Sequence, residues 1–185
     1  AEPSQMKRTL FRGMQEQTPE EKIKRAWTMY DWANSPYALV ITTAIFPIFF
    51  NAVTSDKNEA GEIINDTVQF FGMEFINTQL YSYVLATSFL VVILVTPLLS
   101  GIADYAGKKL QLLKTFCFIG ASGCVGLYFF DPDHLEWSMT AMFMASIGFW
   151  GSLGFYNAYL PEIAPPKEHD KLSATGFAMG YIGSL

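Results

Sequence analysis

The sequence predicts an all-α, polytopic membrane protein, and three observations predict it. First, the chain of 185 residues is 51% hydrophobic and only 16% charged, against about 25% charged in an ordinary soluble domain. Second, its charges are clustered: Asp, Glu, Lys and Arg are absent from 32–53, 75–103, 115–130, 137–161 and 172–185. Roughly 20 apolar residues are needed to cross about 30 Å of hydrocarbon. Three of these runs exceed that length, and 115–130 reaches it when Lys114 snorkels to the interface. A soluble fold would have to surround several helices that are apolar on every face, and a chain of this size lacks the polar structure to do so. Third, all basic residues except Lys57 fall on one side of the alternating segments.

Five spans follow, at about 27–53, 80–103, 110–130, 138–160 and 172–185. The tail 1–26 is polar and has no apolar signal-peptide core. Within it Thr18-Pro19-Glu20-Glu21 reads as a helix start. Thr18 is the N-cap, Pro19 occupies the first turn and Glu21 closes a capping box. A short interfacial helix is expected to lead into the first span. Lys7, Arg8, Arg12, Lys22, Lys24 and Arg25 lie in or near this tail, Lys108, Lys109 and Lys114 at the second-to-third connection, and Lys167 and Lys171 at the fourth-to-fifth. The excess of basic residues on that side orients the N-terminus to the cytoplasm. The net charge of −5 arises from the outer loops and carries no signal for nucleic acid.

The first span, WTMYDWANSPYALVITTAIFPIFFNAV, has one charge, Asp31, and two prolines, Pro36 and Pro47. Two readings of Asp31 stand side by side. It is an interfacial carboxylate near a helix N-terminus, where the dipole favours it. Alternatively, Asp31 and Asn34, three apart on one side, face the bundle interior. Pro36 then loosens the helix and frees the carbonyl of Trp32, and Asp31 serves as a gate, a partner for a substrate amine or a protonatable coupling group. The loop 54–79 is long and acidic, and its Phe70-Phe71 and Phe75-Ile76 pairs predict a short piece on the membrane surface.

At the second-to-third turn, Asp104 ends one helix, Gly107 permits a tight reversal, and Lys108 and Lys109 open the next. Both sets of charges oppose the helix dipoles. That placement makes sense if they pair, or if Asp104 points at the N-terminus of another helix. Lys108 and Lys109 also act as topology determinants. Glycines recur at 120, 123 and 126, at 148, 151 and 154, and at 176, 180 and 183, which marks faces where backbones approach closely. Cys117 and Cys124 are expected as small packing residues. On the fourth helix Tyr156 and Asn157 precede Pro161-Glu162. Asn157 reads equally as a cavity-lining hydrogen-bonder and as an interhelical amide. Glu162, against the dipole, is expected to pair with Lys108 or Lys109. Pro165-Pro166 stops the fourth helix, and Asp170 is expected to cap the fifth.

Leu98–Lys114, LLSGIADYAGKKLQLLK, resembles the cytoplasmic loop motif G-x-x-x-D-R-x-G-R-K of the major facilitator superfamily. The match lies at Asp104, Gly107, Lys108 and Lys109. Ser100 stands at the first glycine, with Gly101 one place later, and Tyr105 stands at the arginine, so Tyr105 is not given that arginine's role. YDWANSPYALVITTAIFPIFF and YNAYLPEIAPPKEHDKLSATGFAMGYIGS resemble the branch of autophagy-related vacuolar amino-acid effluxers and their bacterial relatives. The resemblance covers most of 27–185. It implies a twelve-helix bundle in two halves, of which this chain is the N-terminal part.

A fifth segment of 14 residues reaches about 21 Å, so the chain is expected to be a fragment whose C-terminal half is missing. The expected function is secondary active transport of a small polar solute by alternating access. Amino acids are the substrate class that the resemblance implies, and a proton or ion is the coupling partner. The lipid bilayer is the surrounding partner, with a bacterial inner membrane favoured over a vacuolar one. No cofactor and no metal are expected, since His134 and His169 fall on opposite sides. No nucleotide-binding loop is visible. The alternatives are a truncated scaffold or partner subunit, and an integral-membrane enzyme. An enzyme would need a nucleophile with a base or clustered ligands, and the sequence shows neither.

Overall fold

The computed structural model describes residues 18–185, which form two compact units, 18–36 with Leu160–Leu185, and Tyr37–Tyr159. Helix α1 spans Pro19–Tyr37 and passes into a π-helical turn, Ala38–Thr43, then into α2, Ile45–Val53. Two antiparallel hairpins follow, β1 (Asp56–Lys57) with β2 (Ile63–Asn65) and β3 (Thr67–Phe70) with β4 (Met73–Ile76). Then come α3 (Asn77–Ala106), α4 (Lys109–Leu127), α5 (Leu135–Ile163) and α6 (Pro166–Gly183). Among the described residues, three stretches are long and apolar enough to cross a membrane: Pro19–Val53, Asn77–Ala106 and Lys109–Tyr128. The expected spans 138–160 and 172–185 fall on α5 and α6. The helix α5 is less uniformly apolar because its inward face is built from small residues, with Ser138, Ser146, Gly148, Gly151 and Ser152 all buried.

In the first unit, the start of α1 is a reciprocal capping box. The Thr18 backbone N–H donates to Glu21 Oε2 at 3.0 Å, and the Glu21 N–H donates to Thr18 Oγ1 at 3.3 Å, which satisfies two orphan amides of the first turn. No break separates an interfacial helix from the first span; α1 runs unbroken from Pro19 to Tyr37. Lys24 Nζ meets Glu168 Oε2 of α6 at 2.5 Å. The expected cap at Asp170 is corrected: α6 begins a turn earlier, with Pro165 extended at the N-cap and Pro166 in the first turn. Proline there needs no amide partner, and its fixed φ suits the helix. His169 Nε2 lies 2.8 Å from the Ala164 carbonyl just past the end of α5.

In the second unit, α4 and α5 touch backbone to backbone. A Cβ on Gly148 would lie 2.1 Å from Gly120 N, and one on Gly123 would lie 2.3 Å from Ala145 N. Gly151 seats the Phe116 ring, where a Cβ would lie 2.3 Å from Cδ1. The glycine rows on α4 and α5 are therefore packing surfaces. Cys124 does not join them: it is exposed, and Cys117 is half-buried. A larger core holds Phe46, Phe50, Leu80, Leu127, Met139 and Met142, and a smaller one holds Ala103, Phe116 and Phe155.

Candidate functional site

The second unit contains the break in the first membrane-crossing stretch. Between α1 and α2 the hydrogen-bond ladder slips to i−5: the Ala44 N–H reaches the Leu39 carbonyl at 3.0 Å, and Thr43 Oγ1 donates to the Ala38 carbonyl. Pro47 has no N–H, so the usual donor to the Thr43 carbonyl is missing. Two tyrosines hold this irregular segment. The Tyr81 hydroxyl, from α3, is shared between the Thr42 carbonyl at 2.9 Å and the Ile41 carbonyl at 3.1 Å. Tyr37, at the start of the break, shares a hydrogen bond with Ser146 Oγ at 3.0 Å and stacks on Phe149 at 4.3 Å, both from α5. Backbone polar groups at membrane depth must find partners, and the Tyr81 and Thr43 hydroxyls supply them.

The sequence placed the loosening at Pro36, with a freed Trp32 carbonyl. The helix instead continues through Pro36, and the disruption starts at Ala38. The Trp32 carbonyl is packed within the first unit, where a Cβ on Gly183 would lie 2.2 Å from it. Asp31 lies against the same face of α6. A Cβ on Gly180 would stand 2.8 Å from Ser35 Oγ and 3.4 Å from Asp31 Oδ2. Ser35 Oγ donates to the Asp31 backbone carbonyl at 2.7 Å. Asp31 and Asn34 are both half-buried. On α5, Tyr156 is 3% exposed, whereas Asn157 is exposed.

The loop motif has defined geometry. Gly107 ends α3 in the left-handed region, at φ 63°, a conformation that disfavours side chains with a Cβ. The Lys108 N–H returns to the Ala103 carbonyl at 3.0 Å. Lys109 Nζ then meets Asp104 Oδ1 at 2.6 Å, so the two dipole-opposed charges neutralise each other across the turn. Lys108 is the exposed N-cap of α4, and Glu162 lies exposed in the last turn of α5.

Two more polar groups, not anticipated from the sequence, lie between α3 and α5. Thr96 Oγ1 and Trp150 Nε1 are buried atoms without a hydrogen-bond partner among the described residues. A Cβ on Gly154 would approach Thr96 Cγ2 at 3.2 Å, and the Trp150 ring lies 5.0 Å from Phe89. No cluster of three His, Cys, Asp or Glu residues suited to a metal occurs among the described residues. At the α4–α5 turn, His134 Nδ1 pairs with Asp131 Oδ2 at 2.7 Å. That bond, with the Asp133 amide, holds the Asp131 carboxyl below its ordinary range, and the same bond raises the His134 pKa.

The comparisons with known proteins agree with this architecture. The family described as "Vacuole effluxer Atg22 like" matches residues 20–171. The chain is 34% identical over 165 residues to YxiO of Bacillus subtilis (strain 168), named an uncharacterized MFS-type transporter. The match takes in 88% of this chain but 35% of that relative, so the chain spans about a third of its length. No solved structure matches. The loop motif, the membrane-crossing helices and the family match give one conclusion: the chain belongs to the vacuole effluxer Atg22-like family, within the major facilitator transporters.

Proposed function

We propose that this chain is the N-terminal part of a secondary active transporter that moves a small polar solute by alternating access. Amino acids are the leading solute class, a proton or ion is the coupling partner, and the N-terminus lies in the cytoplasm. The observation that carries the reading is the break at Ala38–Thr43, where the Tyr81 hydroxyl from α3 is shared between two backbone carbonyls. Irregular backbone at membrane depth is tolerated where it lines a cavity or is enclosed by protein. Hydroxyl contacts of this kind reform at little cost, so the segment is suited to act as a hinge. Asp31, about two turns before it in the chain, is the coupling or amine-binding carboxylate, and Asn34, Asn157 and Tyr156 are the further candidates for contact with the solute. Asp104, Gly107, Lys108 and Lys109 form the cytoplasmic gate element, and Glu162 is a further charged candidate for it.

The test is uptake of an amino-acid panel by the complete protein in proteoliposomes, with and without a proton gradient. Gradient-stimulated uptake that Asp31→Asn abolishes or uncouples, with normal insertion, is the expected result. Undiminished coupled uptake by that variant would remove Asp31 from the mechanism. Absence of flux for every solute would favour a scaffold role.

A further inference from the structure

We infer that the β3–β4 hairpin and the adjoining ends of α3 and α5 form a seat for one acyl chain of a bilayer lipid whose headgroup carries an ammonium. The hairpin has two unlike faces. Its register pairs Val68 with Phe75 and Phe70 with Met73, while Gln69 opposes Glu74. Because side chains alternate along a strand, Val68, Phe70, Met73 and Phe75 share one apolar face. On the other face the Gln69 amide donates to Glu74 at 3.0 Å. The apolar face roofs a groove of about 300 Å³ floored by Leu80, Tyr83, Val84 and Thr87 of α3 and Met139, Thr140 and Phe143 of α5.

Depth, surroundings and charge select the occupant. The floor lies roughly 5–15 Å along α3 and 6–12 Å along α5, at 1.5 Å per residue. That depth matches the outer part of one leaflet of a hydrocarbon core about 30 Å thick. Beyond the groove the surface of α3 is open and apolar, with Leu90 56% and Ile93 66% exposed. This surface belongs to a membrane-crossing helix, whose apolar surface is matched to lipid. Phe71, at the hairpin turn, and Trp137, beside Gly126 of α4, are also exposed, as in the aromatic belt of a membrane interface. Glu136 Oε1 accepts the Phe71 N–H at 3.2 Å, one turn from Thr140. Glu136 is the carboxylate beside the groove, whereas Glu74 pairs with Gln69 on the far face of the hairpin. A headgroup at the groove mouth therefore meets the Glu136 carboxylate, which attracts an ammonium and repels an anionic lipid.

The experiment uses the complete protein in nanodiscs of mixed phosphatidylethanolamine and phosphatidylglycerol. One of the two lipids carries a photoactivatable acyl chain, and the crosslinked peptides are mapped by mass spectrometry. Labelling within 80–87 and 139–143 is expected to exceed that of the equally apolar stretch 90–94 severalfold. The ethanolamine probe should outlabel the glycerol probe by about two- to fivefold, the effect of one exposed ion pair. Thr140→Trp should reduce groove labelling to the level of 90–94, and Glu136→Gln should erase the headgroup preference. The wild-type ratios need no variant to fold. Equal labelling of the groove and 90–94, or capture of a later helix of the complete protein in place of lipid, would overturn the seat. Equal labelling by the two probes would overturn the headgroup assignment.

Discussion

The first membrane-crossing stretch and the α4–α5 pair are built on opposite plans. Helices α4 and α5 are regular and meet through glycine, with no room for even one Cβ at Gly148 or Gly123. The first stretch is broken at Ala38–Thr43, and its contacts include hydroxyls set against carbonyls from Tyr81 and a Tyr37–Ser146 bond. Close backbone packing admits few arrangements, because separating the helices loses every contact at once. Hydrogen bonds between helices in membranes average about 0.6 kcal/mol and reach about 1.7. One plan makes a rigid frame and the other a segment that rearranges at low cost.

The largest effect should come from filling the frame. Gly148→Leu is expected to cost about 3 kcal/mol or more, since overpacking here forces backbone apart. The readout is the yield of monodisperse protein and its melting temperature. Gly101→Ala, which meets nothing within 4 Å, is the control, and equal loss in both would dissolve the contrast. Next is Tyr81→Phe, which leaves the Ile41 and Thr42 carbonyls without their donor. A stability loss of only about 0.6–1.7 kcal/mol is expected, together with a disproportionate change in transport. A variant with unaltered uptake would mean that the break is only structural.

The turn at Asp104–Lys109 gives a finer test. Exchanging the charges, Asp104→Lys with Lys109→Asp, keeps the pair and places each charge in favour of its helix dipole. The exchange should therefore gain about 0.3–1 kcal/mol per charge. If the motif also gates transport, uptake should fall while stability rises; preserved uptake would reduce the motif to a structural turn.

The smallest effect lies at the Asp131–His134 pair. Its folded-state His134 pKa is raised above 6.5, so its contribution is present below that value and fades as pH climbs through the raised pKa. Asp131 is depressed below 3.8, so its contribution is present above that value and fades as pH falls through the depressed pKa. The turn is thus firmest between those limits. An NMR titration should place His134 above 6.5 and return it downward in Asp131→Asn; an unchanged midpoint would disprove the pairing.

Much of the frame was legible in the sequence, because charge-free runs and glycine spacing are local signals. The capping box at Thr18–Glu21 and the tight turn at Gly107 were read from residue type alone. The hairpin was not, although Val68-Gln69-Phe70 and Met73-Glu74-Phe75 alternate around Phe71-Gly72, which is a two-residue turn signal; the phenylalanine pairs drew attention to the membrane surface instead. Asp170 was favoured as a cap because Pro165-Pro166 was read only as a stop. The break was misplaced by several residues because proline marks where a ladder bond is lost, not where the helix yields. Its position depends on partners distant in the chain, Tyr81 and Ser146, and no local pattern around Pro36 encodes them.

The account rests most on the contrast between the broken segment and the glycine-packed frame, and backbone hydrogen–deuterium exchange of the complete protein in nanodiscs tests it directly. Amides of 38–45 should exchange well ahead of those of 116–126, and faster again in Tyr81→Phe, while 116–126 stays unchanged. Equal protection of the two segments, unaffected by the loss of the Tyr81 hydroxyl, would contradict the hinge.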